Sequence, residues 1–353
     1  MAGSTASPAL SRGLNQHEFP VAARVVAHVL AYALIKPFSF IAEKLGLGDR
    51  LWKVIGRKMR QDVVEGHDFG DYQPTASDVV VCTYPKCGTN WTMQITHQIA
   101  TRGTGEFQHI HDVVPWPDFM KQDLVLPLAD DSVRLASPTG LRVIKTHLEW
   151  ERVPYSKDAR YICVVRDPKD AFVSSYHFIR EVFFGPVMPS VERWLKLFCS
   201  DGFPFMWPVH VNGYWAARDL SNLLILTFEE MHADMPAAIK RIAEFMGVEL
   251  NAAEFDKICE KSAFGYMKGI GECFNPPALT PLSPAQRTMI RRGVSGGSGE
   301  MLNATQQQAI DDWCKSVLAE LHSEVPFDTL WGSATRPSTD TVATELPSNP
   351  LGV

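Results

Sequence analysis

The string Tyr84-Pro85-Lys86-Cys87-Gly88-Thr89-Asn90-Trp91 joins an apolar run to a helical pattern, with a lysine and a glycine at the junction. A strand–loop–helix of this kind can cradle an anion. Backbone N–H groups at the helix start are free to donate, and the helix dipole adds to them. Lys86 supplies a full positive charge, and Thr89 and Asn90 supply side-chain donors. The spacing differs from the nucleoside-triphosphate loop G-x-x-x-x-G-K-[ST]: Lys86 precedes Gly88, and no glycine opens the loop. That difference argues against an ordinary ATPase or kinase. Read alone, a glycine here also fits a tight turn.

Two further clusters follow. Lys145-Thr146-His147 closes a second apolar run. A histidine at a strand's carboxyl end can act as a general base, since its pKa lies in the useful range. A solitary histidine is more often structural. Arg166 closes a third run, and Ser174 lies in the helix after it. A guanidinium fork suits a doubly charged phosphate. It equally suits a structural pair with Asp167 or Asp170.

These residues need elements to hold them. Asp78–Thr83, Leu141–Lys145, Tyr161–Val165 and Leu223–Thr227 are short, nearly continuous apolar runs rich in β-branched residues. They read as strands of a parallel sheet buried on both faces. Helical patterns follow at Trp91–Ala100, at Asp170–Arg180 behind Pro168, and at Pro236–Met246 ending on Gly247. The order predicts a single α/β domain, a central parallel sheet flanked by helices, with ligands outside the strands' carboxyl ends. Helices are also expected over Ala252–Lys261 and Ala304–His322, with a Pro/Gly-rich stretch between them. The predicted organisation is an N-terminal helical extension over 1–70, a main domain over 71–331, and a disordered tail over 332–353.

The eight-residue string resembles the 5'-phosphosulfate loop of cytosolic-type sulfotransferases, usually YPKSGTxW, with Cys87 in place of serine. The resemblance runs from about Asp78 to Trp331. It implies a P-loop-like site for 3'-phosphoadenosine 5'-phosphosulfate (PAPS), with Lys86, Cys87, Gly88, Thr89 and Asn90 around the phosphosulfate and Trp91 near the adenine. It also implies that His147 is the base, that Lys86 and Lys145 stabilise charge during transfer, and that no metal ion is required. Arg166 and Ser174 match the 3'-phosphate segment. Ser262, Phe264 and Met267 match an adenine-contacting stretch, and Arg291-Arg292-Gly293 matches the element that returns to the 3'-phosphate. Phe228 stands where the family usually has an adenine-contacting tyrosine. The dimer motif K-x-x-x-T-V-x-x-x-E falls on Gly299, Asn303, Ala304 and Gln308 and is absent. After Gly293 the run Val294–Gly299 is Gly/Ser-rich, so this loop is expected to be more mobile than usual.

The acceptor is expected to be a small hydroxyl compound, by default an apolar phenol, sterol or other alcohol. Segment His109–Phe119 resembles the family's pocket-lining stretch. Trp116, Phe119, Trp150, Phe178 and Phe184 are the candidate aromatic walls. A net charge of -6 gives no reason to expect nucleic acid. The seven cysteines are scattered, with no C-x-x-C pair, which points to free thiols in a reducing, cytoplasmic setting and gives no support to a zinc site. Cys87, at a helix N-terminus beside Lys86, is expected to have a lowered thiol pKa and to be open to oxidation.

Two stretches before the domain remain. Val21–Ile35 is apolar but interrupted by Arg24 and His28, which leaves less than the ~20 residues of a spanning helix. Ile41–Met59 is amphipathic and carries Lys44, Arg50, Lys53, Arg57 and Lys58. They read as helices packed on the domain, or as a basic amphipathic element making weak contact with a membrane surface. A transit peptide is a weaker third reading, and no convincing cleavage site supports a secretory signal.

Overall fold

Four strands form one parallel sheet in the order β2-β1-β3-β4: β1 is Asp78–Thr83, β2 Arg142–Thr146, β3 Arg160–Val165 and β4 Leu223–Thr227. The structure is a computed structural model and describes Leu14 and residues 18–63, 65–284, 287 and 289–332. β1 and β2 are buried at every position, which accounts for their continuous apolar character. The charged exceptions are Asp78, Arg142 and Lys145; the first two satisfy each other. Arg142 Nε donates to Asp78 Oδ1 at 2.7 Å, and its Nη1 donates to the carbonyls of Leu128 (2.8 Å) and Asp130 (3.0 Å).

β1 pairs with both β2 and β3, with Cys82 opposite Thr146 on one side and Cys163 on the other. The chain leaves β1 toward one edge and crosses back to the other. That reversal opens a crevice at the carboxyl ends. Lys86, His147 and Arg166 all lie within three residues of a strand's last residue.

We number the helices used below α1 (Val21–Lys44), α2 (Gly48–Val63), α3 (Thr89–Ala100), α4 (Pro168–Ile179), α5 (Val191–Phe198), α6 (Met235–Met246), α7 (Ala252–Ser262) and α8 (Ala304–Glu320). Their ends follow local chemistry. Asp167 accepts from Lys169 N at 2.8 Å, with Pro168 in the first turn of α4. α6 ends on Gly247 at φ 71°. α7 and α8 begin with capping boxes, Asn251 with Glu254 and Asn303 with Gln306. Asn303, one of the positions of the missing dimer motif, therefore serves as a helix cap.

The N-terminal helices differ from the sequence expectation. α1 is a single 24-residue helix, long and apolar enough by length and composition to cross a membrane. It runs through Pro37 because Ala31–Ile35 forms a π-helical segment just before it. α2 packs on α5 near Gly202; a Cβ on Gly56 would lie 2.2 Å from the Gly202 carbonyl oxygen. The tail expected to be disordered lies, apart from Gly332, outside the described residues.

Candidate active site

The loop after β1 turns on two left-handed residues, Lys86 at φ 72° and Gly88 at φ 91°. Gly88 takes this shape without strain, and a Cβ there would come within 3.0 Å of Phe228. Lys86 is held in it by its surroundings. Its carbonyl accepts from Arg166 Nη1 at 3.2 Å, and its Nζ lies 4.5 Å from the Phe178 ring centre and 3.1 Å from Met289 Sδ. Burial, then the nearby Arg166 charge, lowers the Lys86 pKa to about 8. Thr89, Asn90 and Trp91 border the cleft with Lys86 and Gly88.

Cys87 does not border it. Its side chain is fully buried among the apolar residues under the sheet. Burial pushes the thiol pKa up, opposite to the expectation from its place beside Lys86 at a helix start. The helix dipole and the lysine act on a charge exposed to them; here the sulfur turns into the core, where desolvation wins. A thiol in place of a hydroxyl at this position therefore removes no donor from the cleft.

His147 follows β2 directly. Its Nδ1 lies 2.7 Å from the Thr83 carbonyl oxygen, which only accepts, so Nδ1 carries the hydrogen and Nε2 keeps the free lone pair. Its backbone N–H donates to Asp118 Oδ2 at 3.0 Å. The ring meets Trp116 edge-on at 5.6 Å. Burial first, then the Lys145 charge, holds His147 well below its ordinary pKa, so the ring is neutral. Lys145 Nζ sits 3.1 Å from the centre of the Trp116 ring, a cation–π contact. Burial lowers the Lys145 pKa and Asp118 opposes it. Asp118 thus positions His147 and offsets the lysine charge. Sequence reasoning missed it; the only signal was an acid in the proline-bounded turn Trp116-Pro117-Asp118.

Arg166 is held from three sides. It donates to the carbonyls of Lys86 and Val294 (2.8 Å), and pairs with Asp170 at 3.4 Å. Its guanidinium lies 4.2 Å from the Phe228 ring centre, and its Nε is buried without a hydrogen-bond partner. Ser174 borders the same part of the cleft. Asp170 Oδ2 also accepts from Gly296 N at 2.7 Å, which ties down the Gly/Ser-rich loop. Arg291 and Arg292 both pair with Glu300, Arg291 at 2.8 Å. Gly293 has φ 63°, and a Cβ there would lie 2.3 Å from Phe264, so only glycine fits beside that ring. Phe264 is exposed and borders the cleft.

Trp91 packs edge-on against Phe228 at 5.6 Å, and its Nε1 donates to the Ser262 carbonyl at 2.9 Å. Ser262 itself is buried away from the cleft and acts there through its backbone, whereas Phe264 and Met267 border it. On the acceptor side Trp116 and Phe119 stack at 4.3 Å, and Phe178 lines the opposing wall beside Lys86. Two expected walls are misplaced. Trp150 packs edge-on and tilted among Tyr155, Tyr161 and Tyr214, because the chain turns away after His147. Phe184 packs on Trp52 and Trp194, and its neighbour Phe183 borders the cleft instead. The cleft is continuous, about 490 Å³, from the Arg166 end to the aromatic end.

Residues 76–322 match the family description "Sulfotransferase domain". Sulfotransferase 2A1 of Macaca fascicularis is 28% identical over 255 residues, which covers 70% of this chain and 86% of that protein. Among solved structures, mouse sulfotransferase SULT7A1 complexed with PAP has a TM-score of 0.56 at 22% identity, covering 76% of this chain and 92% of that one. Retinol dehydratase in complex with androsterone and inactive cofactor PAP has a TM-score of 0.58 at 22% identity, covering 77% and 87%. The solved structures share the fold, and the family match takes in nearly every residue that builds the cleft, so this chain belongs to the sulfotransferase family.

Proposed function

We propose that residues 71–331 transfer the sulfuryl group of PAPS to the hydroxyl of a small apolar acceptor, with His147 as general base. The observation that carries this reading is the His147 tautomer. Thr83 holds Nδ1, which leaves Nε2 to accept a proton, with two lysines beside it. Bound PAPS would supply an activated sulfur: the acceptor oxygen bonds to it, its bond to the phosphate oxygen breaks, and the acceptor proton passes to Nε2.

Each group has a part. Lys86 and the N–H groups at the start of α3 hold the phosphosulfate, and Lys145 lies where charge develops on the leaving phosphate. Arg166, Ser174, Arg291 and Arg292 face the 3'-phosphate. Trp91, Phe228, Phe264 and Met267 hold the adenine. The unpartnered Arg166 Nε–H and the exposed Phe264 ring bordering the cleft fit such a ligand. Trp116, Phe119 and Phe178 favour an apolar acceptor; the fold relative bound to androsterone is consistent with sterol-sized compounds. Free thiols throughout fit the cytoplasm.

Labelled PAPS offered with phenols, sterols and simple alcohols tests the reaction. His147→Ala is expected to lower kcat by about 10²–10⁴ while binding of adenosine 3',5'-bisphosphate persists. Full activity in that variant would remove the base assignment. Preference for ADP over adenosine 3',5'-bisphosphate would point to a kinase instead.

A further inference from the structure

α1 is packed inside out. The side turned toward the domain carries small or polar residues, Ala23, Arg24, Ala27, His28 and Ala31, while Val25, Val26, Val29 and Leu30 face away from it. Farther along, Ala42 is buried and Phe38, Phe40 and Ile41 are exposed. An ordinary surface helix buries its large apolar residues and shows its polar ones to water. Contiguous exposed apolar residues of this extent mark a contact with another apolar phase.

We propose that α1 and α2 form a docking face that lies flat on an anionic lipid surface. Charge supports a lipid occupant over a second copy of the chain. Residues 21–63 hold eight Lys/Arg against three Asp/Glu, in a chain of net charge -6; Arg24, Lys53, Arg57 and Arg60 pair with acids outside the segment, and Lys36 and Lys44 lie over exposed aromatic rings of α1. Two such faces would repel each other, whereas anionic headgroups attract them. The basic side chains are arranged for an interface: Lys36 Nζ lies 4.2 Å from the Tyr32 ring centre and Lys44 Nζ 5.5 Å from that of Phe40. Their stems follow the apolar surface and their charges stay near its edge. Lying flat fits better than spanning, because α1 is tied to the domain at both ends. Arg24 donates to the Ser283 carbonyl at 3.2 Å, and Glu43 pairs with Arg193 at 3.4 Å.

The face adjoins the cleft. Leu14, ahead of α1, packs with Phe119 and Trp116 at its aromatic end, and Met59, on α2, also lines it. An apolar alcohol dissolved in the bilayer would then reach Trp116 and Phe119 over a short distance. That last consequence rests on the proposed sulfuryl transfer; the docking itself does not.

The test is flotation of the full chain with vesicles of phosphatidylcholine alone or mixed with phosphatidylserine, without donor or acceptor. Binding is expected only with phosphatidylserine, and added salt should weaken it. The triple variant Val25→Ser, Val29→Ser, Phe40→Ser, at positions 57%, 59% and 61% exposed, should lower partitioning by about tenfold or more with an unchanged thermal unfolding midpoint. Absence of wild-type flotation overturns the proposal, as does undiminished binding by the variant. A stable dimer that ignores vesicles would assign the face to a second copy. Resistance to alkaline extraction would assign α1 to a span.

Discussion

At the scale of single residues, the cleft keeps its lysines reluctant to be charged and its base reluctant to be protonated. Both follow from burial, and both change when an anion binds. Lys86 has a pKa of about 8, so its charge is present below that pH and lost as pH rises through it. kcat/KM for the donor is therefore expected to fall above about pH 8, while kcat falls only at higher pH, since a bound anion stabilises the ammonium form. Lys86→Arg should flatten the alkaline limb of the kcat/KM profile. An unchanged limb in that variant would assign it to another group. The same anion would offset Lys145 and Lys86, both of which hold His147 down, and so strengthen the base when the donor is present.

At the scale of elements, the loop from Arg291 to Glu300 is fastened by its own ion pairs and by Asp170. Glu300 occupies the two arginines proposed for the 3'-phosphate, so the ligand must compete with a carboxylate. Glu300→Gln is expected to tighten adenosine 3',5'-bisphosphate about fivefold, the equivalent of about 1 kcal/mol for a partly exposed pair, measured by calorimetry. Weaker binding would mean that Glu300 orients the arginines. Glu300 was not visible in the sequence, because it lies eight residues beyond Arg292 across a glycine-rich run. The strands were legible because burial on both faces leaves a continuous apolar signature. The direction of one side chain in a tight loop leaves none: Cys87 obeys the packing under the sheet, and Trp150 obeys Tyr155, Tyr161 and Tyr214. Arg24 and His28 interrupt the apolar pattern of α1 without interrupting the helix, and nothing local announces that a π-helical turn will carry the chain on through Pro37.

At the scale of the whole molecule, the sheet that aligns the site is pinned by a buried charge cluster at its other end. Asp78 accepts from Arg142, from Tyr72 Oη at 2.7 Å, and from Thr75 N and Oγ1 at 2.7 and 2.9 Å. Asp78→Ala would leave buried Arg142 with only the half-exposed Asp131 carboxylate, 3.5 Å away, as an ionic partner. It is expected to lower unfolding stability by about 3–5 kcal/mol in denaturant titrations, although it lies far from the cleft along β1. A loss under 1 kcal/mol would show that water or the nearby carbonyls can stand in for the carboxylate.

With His147 as the proposed base, the Thr83 carbonyl behind it also decides how the enzyme would recover after each turnover. A ring already hydrogen-bonded through Nδ1 cannot hand a proton across to that side, so whatever Nε2 takes must leave the way it came, through the cleft mouth. An imidazole that binds protons weakly releases this one to water readily once the anionic product has gone. The proposed base would rearm itself, with no relay through the protein interior.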